Sequence, residues 1–139
     1  MSGPQLTIHL RTGRYAVSQL ASDADIPQWA VSAQGLVSIT RREGELSVVT
    51  MESAVPEGLK THGGWRLLEL EGPFDFSLTG VLLSLLRPLA EAGVGVFAIS
   101  TYDTDAVLVQ EYDLEKAIAA LQVAGLTILT AQLIPPDSE

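Results

Sequence analysis

Cysteine is absent from the 139 residues, which excludes disulfides, thiolate metal sites and thiol nucleophiles together. Histidine is nearly absent too. His9 and His62 lie far apart and form no helical pair, so the usual ligands of a metal site are missing. Basic residues are few: eight Lys and Arg stand against seventeen Asp and Glu, a formal charge of −9. The eight are scattered, and such a surface repels phosphate, which argues against nucleic acid and anionic membranes as partners. Long apolar runs are also lacking. The nearest, Leu78 to Leu86, is interrupted by Thr79, Gly80 and Ser84 and closed by Arg87-Pro88, short of the about 18 residues a bilayer demands. The first residues, Met1 to Gln5, have neither the basic start nor the apolar stretch of a secretory leader. The sequence therefore predicts a cytoplasmic protein with no membrane association.

What is present is material for a core. Hydrophobic residues make up 47% of the chain and charged residues 18%, enough for one compact domain or two very small ones packed together. The second half reads clearly. Trp65 to Glu71 is a strand closed by Gly72-Pro73. A helix follows, starting between Phe76 and Gly80 with Asp75 or Ser77 as candidate N-cap. Its apolar face is Leu78, Val81, Leu82, Leu85, Leu86 and Leu89, and Gly93 stands where a C-terminal glycine belongs. Pro88 removes the hydrogen bond to the Ser84 carbonyl, so a bend is expected there. Val94 to Ser100 and Ala106 to Gln110 are strands joined by Thr101 to Asp105. Asp113 is the expected cap of a second helix, with Leu114, Ala117, Ile118 and Leu121 inward and Gly125 at its end. Leu126 to Leu133 is a last strand. The order is β-α-β-β-α-β, an antiparallel sheet with two helices on one face.

The first half has many strands and little helix. Leu6 to Leu10 and Tyr15 to Leu20 read as strands around Arg11 to Arg14. Asp25 to Ala30 has room for a short helix only. Leu36 to Arg41 and Leu46 to Met51 form a hairpin, and Ser53 to Gly58 a single helical turn. This is a shortened version of the same order, so an internal structural repeat is expected, divided near His62-Gly63-Gly64. The segment Val94 to Ile99 is apolar on both faces, whereas a sheet covered by helices on one side alternates. Its second face or its edge is to be covered either by the other half of the chain or by another subunit.

The run Leu82 to Asp105, with its Pro-Leu-Ala-Glu-Ala-Gly and Ile-Ser-Thr-Tyr-Asp-Thr-Asp segments, resembles the ACT-like domains of the CASTOR-type arginine sensors and, more closely, their short two-domain bacterial relatives. Glu71 to Gly80 fits the same bacterial group, and the likeness extends from about Tyr15 to Leu126. The resemblance implies an α+β fold of two tandem ferredoxin-like domains of ACT type. These would be residues 1–63, with reduced helices, and 64–139. It implies a small-molecule ligand, most simply an amino acid, bound where the loop before the first helix meets the strand-to-strand turn, at an inter-domain or inter-subunit interface. It also implies roles for Gly80 and Asp105, which fall at ligand-contacting positions of the sensors. The sensors carry four such domains in one chain, so a homodimer is the expected way for two to rebuild that arrangement.

Elementary chemistry points to the same place. An amino-acid carboxylate suits exposed N–H groups at a helix N-terminus, here Leu78, Thr79, Gly80 and Val81. Gly80, without a side chain, allows close approach. The ammonium needs acceptors, which Asp105 and the Thr101 carbonyl offer. Tyr102 and Asp103 share that turn and complete the candidate site. Against this stands the simpler reading in which Asp103 and Asp105 serve only as turn residues. Ser18, Ser77, Ser84 and Ser100 show no nucleophile-elbow pattern, and neither Gly63-Gly64 nor Gly93-Gly95 is followed by the Lys-Ser or Lys-Thr of a phosphate loop. Trp29 and Trp65 either wall a pocket or, more simply, are half-buried core residues, and Arg14 and Arg66 either hold a carboxylate or are plain surface arginines. No acid, base and nucleophile set converges, so neither an enzyme nor a cofactor is expected. The rival reading is a partner-binding module of the same fold without a ligand.

Overall fold

The computed structural model describes residues 6–73 and 80–130. These form two compact units, residues 6–12 with 66–73 and 80–130, and residues 13–65, and the division falls inside one long strand, β5 (Lys60–Leu70).

The first unit holds β1 (Thr7–Leu10), the C-terminal part of β5, α2 (Val81–Glu91), β6 (Val96–Ser100), β7 (Asp105–Gln110), α3 (Leu114–Val123) and β8 (Thr127–Thr130). From β5 onward this is the β-α-β-β-α-β order read from the sequence. β7 lies between β5 and β6, while β1 lies between β5 and β8, antiparallel to the former and parallel to the latter. Here the structure differs from the sequence reading, which grouped Leu6 to Leu10 with the first half. The alternation of Ile8 and Leu10 with Thr7 and His9 needs one apolar surface to face, and that surface is provided by α2 and α3.

The core of this unit lies between sheet and helices. Ile8, Leu10, Leu68, Leu70, Val107 and Val109 from the strands meet Val81, Leu85, Leu89, Ala117 and Leu121 from the helices. The helical contributors recur every four residues, which keeps them on one stripe. Both helices end alike. The Gly93 amide donates to the Ala90 carbonyl and Val94 to Leu89. Gly125 donates to Gln122 and Leu126 to Leu121 in the same way. Each glycine holds a positive φ, +77° and +98°, and each following residue turns into the core, a Schellman ending that fixes where the next strand starts.

Several local expectations are refined. Asp75 and Ser77 lie outside the described residues, and the N-cap of α2 is Gly80. Asp113 makes no side-chain cap bond: a 3₁₀ turn, Glu111–Asp113, leads into α3, and the Asp113 carboxylate sits 3.5 Å from the Lys116 ammonium instead. α2 runs on through Pro88 to Glu91. Residues 131–133 of the expected last strand lie outside the described residues. β7 is buried on both faces, Val107 and Val109 on the helix side and Ala106 and Leu108 on the other. β6 is less covered, with Phe97 and Ile99 half-buried.

The second unit runs β2 (Tyr15–Leu20), α1 (Gln28–Val31), β3 (Ser38–Arg42), β4 (Glu45–Met51), a 3₁₀ turn Glu52–Ala54, and the start of β5. Its strands lie in the order β3-β4-β2-β5, all antiparallel. Ala30 of α1 packs on Leu46 and Val48, with Leu20, Ala24, Trp29 and Ile39 around them. The Arg41 guanidinium donates to the Ser22 and Ala24 carbonyls and so pins the loop before α1. His62-Gly63-Gly64, expected as a loop between halves, is strand. Tyr15 pairs with Trp65 but Val17 with His62, a bulge made possible by Gly64 at φ +82°. Its N–H is taken by the Glu52 carboxylate at 2.5 Å.

Candidate functional site

Pairing of β1 with β5 sets the geometry. Because Ile8, Leu10, Leu68 and Leu70 point to the helices, His9, Arg11, Glu69 and Glu71 share the opposite face. There the polar side chains pair across the strands. His9 Nε2 lies 2.7 Å from Glu71 Oε1, and Arg11 Nε donates to Glu69 Oε1 at 2.6 Å. These groups are partly solvated, so each pair is worth about 0–1 kcal/mol; their consequence is to hold the side chains in place.

Beyond them the chain turns at Gly72-Pro73 against the β6–β7 connection. The Thr104 hydroxyl donates to the Leu70 carbonyl at 2.9 Å. Thr101 closes the turn: its N–H donates to the Thr104 carbonyl at 2.8 Å, and its hydroxyl accepts from the Thr104 N–H at 3.3 Å. Together these residues enclose a groove of about 310 Å³, floored by the β1–β5 charges and walled by Gly72, Pro73, Asp103 and Thr104. That volume is at the small end of the range for small-ligand sites. Asp103 is exposed, and its carboxylate has no hydrogen-bond or ion-pair partner among the described residues.

The expected site residues divide into three groups. Asp103 lines the groove, with Thr101 and Tyr102 in the same turn, and Tyr102 is largely solvent-exposed. Asp105 opens β7, where its carboxylate accepts a 2.6 Å hydrogen bond from the Ser100 hydroxyl and so closes the hairpin. Gly80 and Val81 stand at the head of α2 and do not line this groove. Gly80 takes φ +81°, and a Cβ there would meet nothing within 4 Å. Its carbonyl accepts both the N–H and the hydroxyl of Ser84. The Val81 side chain is in the core, so only its backbone N–H is left for a ligand. Leu78 and Thr79 lie outside the described residues.

His9, Arg11, Glu69, Glu71 and Gly72 were not anticipated. A signal existed, since polar residues alternate in both segments, but nothing local pairs two strands some sixty residues apart. Arg14 and Arg66 form ion pairs at 3.5 Å with Glu52 and Glu111. Trp29 borders the core of the second unit, and Trp65 donates to the His62 carbonyl at 3.1 Å. Among the described residues, no three His, Asp or Glu side chains are grouped to hold a metal, and no helix is long and apolar enough to cross a membrane.

Comparison with known proteins agrees with this architecture. Residues 60–123 match the family model for the ACT domain, and residues 13–58 match a model described as an N-terminal domain. No curated protein matches. Among solved structures, the Agobacterium tumefaciens protein Atu0741 is 37% identical, covers 94% of this chain and 96% of its own, and superposes with a TM-score of 0.87. VC0802 from Vibrio cholerae, described as of unknown function and a possible transport protein, is 20% identical with 87% and 91% coverage and a TM-score of 0.69. The regulatory subunit of aspartate kinase from Thermus thermophilus is 12% identical with 84% and 95% coverage and a TM-score of 0.60. The last two share the fold alone. At 37% identity over nearly its whole length, the chain belongs to the family of Atu0741, and its residues 60–123 match the ACT domain model.

Proposed function

We propose that this protein is an amino-acid-binding regulatory protein of the ACT type, working as a homodimer whose subunit geometry changes when ligand binds. The observation that carries the reading is the seating of the Thr101–Asp105 turn on Gly72, beside a row of fixed charges of both signs. An amino acid presents one charge of each sign. Arg11 offers a guanidinium for its carboxylate and Asp103 a carboxylate for its ammonium. Asp105, bonded to Ser100 and outside the groove lining, is the second acceptor that this reading calls on. The backbone N–H groups at the head of α2, those of Gly80 and Val81, are the second anchor this reading uses; Leu78 and Thr79, which precede them in the sequence, are proposed to add theirs. Differential affinity for two subunit arrangements would convert binding into a signal that a partner reads.

The β-α-β-β-turn-β order of the second unit supports its being a second, reduced ACT-like domain, and so a tandem arrangement. The finer likeness to CASTOR-type sensors rests on the Leu82 to Asp105 segment and carries no commitment to arginine as ligand.

One observation favours the rival partner-binding module. His9–Glu71 and Arg11–Glu69 already satisfy one another, as a groove without a ligand would need. Calorimetric titration of any amino acid that stabilises the protein separates the two. Arg11→Ala and Asp105→Ala should each weaken binding about tenfold or more while leaving the fold intact. Unchanged affinity in both would sink the site assignment, and light scattering that shows a monomer at working concentration would sink the dimer.

A further inference from the structure

A second groove lies in the other unit, on the face of its sheet turned away from α1. Leu20, Leu46 and Val48 face α1, so the alternate residues Val17, Gln19, Ser47 and Glu45 face the other way, joined by Lys60 and His62 from β5. The register places Lys60, Gln19 and Ser47 in one cross-strand row, with Glu45 two residues further along β4. Together they line a groove of about 370 Å³ with Val17 as its apolar floor.

The charges in this groove do not close on each other. Glu45 is held from its own side: Arg42 Nε donates to Oε2 at 2.7 Å and Gln19 Nε2 to Oε1 at 3.1 Å. Lys60, of opposite sign, has no hydrogen-bond or ion-pair partner among the described residues and reaches Glu45 only through its field. Two inter-strand steps of about 4.8 Å and one two-residue step of about 6.8 Å separate the two backbones. With the Glu45 carboxylate held by these two donors and not ion-paired to Lys60, an ammonium and a carboxylate line the same groove with hydrogen-bonding side chains between them.

We infer that this groove is a binding site for a compact zwitterion, an amino acid or a molecule of like charge pattern, inserted between Lys60 and Glu45. Its carboxylate takes the Lys60 ammonium and the Ser47 hydroxyl, and its ammonium takes the lone pairs that Glu45 leaves open. The groove is separate from the Thr101–Asp105 turn, so the two readings stand or fall independently.

The test is a titration of the ¹⁵N-labelled full chain with glycine and with each common amino acid, followed by amide shifts. Saturable shifts are expected at Gln19, Ser47 and Lys60 with at least one probe, apart from any at residues 80–81 and 101–105. Lys60→Met and Glu45→Gln, both at solvent-accessible positions, should each weaken that binding about tenfold. Arg42→Ala should weaken it too, by letting Glu45 swing toward Lys60. Absence of shifts at these amides with every probe overturns the inference, as do shifts that persist unchanged in Lys60→Met and Glu45→Gln.

Discussion

Gly72 and Asp103 are in backbone contact: a Cβ added at Gly72 would stand 2.9 Å from the Asp103 carbonyl oxygen and 3.0 Å from the Thr104 Cβ. The obstacle on one side is backbone, which cannot rotate away. Gly72→Ala should therefore shift the Thr101–Asp105 turn and lower stability by about 1–3 kcal/mol. Denaturant unfolding measures the cost, and amide shifts confined to residues 101–105 would locate it. An unchanged turn would show that the groove wall does not depend on this contact.

Gly80→Ala tests a different constraint. The site has room for a methyl group, but φ is +81°, where an L-residue is strained by about 1–2 kcal/mol. Loss of that order, measured by thermal unfolding, is expected, with the core residues Leu85 and Leu89 undisturbed in their amide shifts. A neutral substitution would mean that the head of α2 relaxes out of this conformation.

Tyr15 and Gly35 form a comparable pair in the second unit. The Tyr15 hydroxyl accepts the Leu36 N–H at 3.2 Å, and a Cβ on Gly35 would lie 2.5 Å from that oxygen. Tyr15→Phe should cost about 1–2 kcal/mol, chiefly by leaving that partly buried donor unpaired. Gly35→Ala should cost more, because the contact adds to the strain of φ +75°. Urea unfolding of both variants gives the order.

Acid should weaken the second unit through Glu45. The Arg42 hydrogen bond, then that from Gln19, holds its carboxyl below the ordinary value of 4.5. A depressed folded value means that the stabilisation is full above the unfolded value and is lost as pH falls from about 4.5 through the folded one. Glu45→Gln should flatten the stability profile in that window and leave it unchanged near neutrality apart from a constant offset. An identical acid slope in both proteins would contradict this.

Much of the first unit was legible in the sequence. Strand Trp65 to Glu71, the stripe Val81, Leu85, Leu89, and the glycines at 93 and 125 are local signals of period, cap and turn, and they led to the observed order of elements. The insertion of β1 between β5 and β8 was not legible, because alternation in Ile8 and Leu10 says which face is apolar but not which strand lies alongside. The bulge at Gly64 was hidden for a related reason. His62-Gly63-Gly64 looks like a linker, and only the pairing with β2 makes it strand. At the candidate site the Thr101–Asp105 turn was readable from its own residues, whereas the charged floor of His9, Arg11, Glu69 and Glu71 exists only once two distant segments pair. Asp113 stands at the N-cap position of α3, as its residue type suggests, but a 3₁₀ turn leads into the helix and the side chain makes no cap bond.

The most direct test of the central claim is a thermal-shift screen of the full chain against the twenty amino acids, with Asp103→Ala and Asp105→Ala alongside. A ligand at a hundredfold over its dissociation constant adds about 2.7 kcal/mol, enough to raise Tm by several degrees. The account predicts a clear rise with at least one amino acid, reduced or abolished in the two variants. No rise with any of the twenty, or a rise of equal size in both variants, would contradict it.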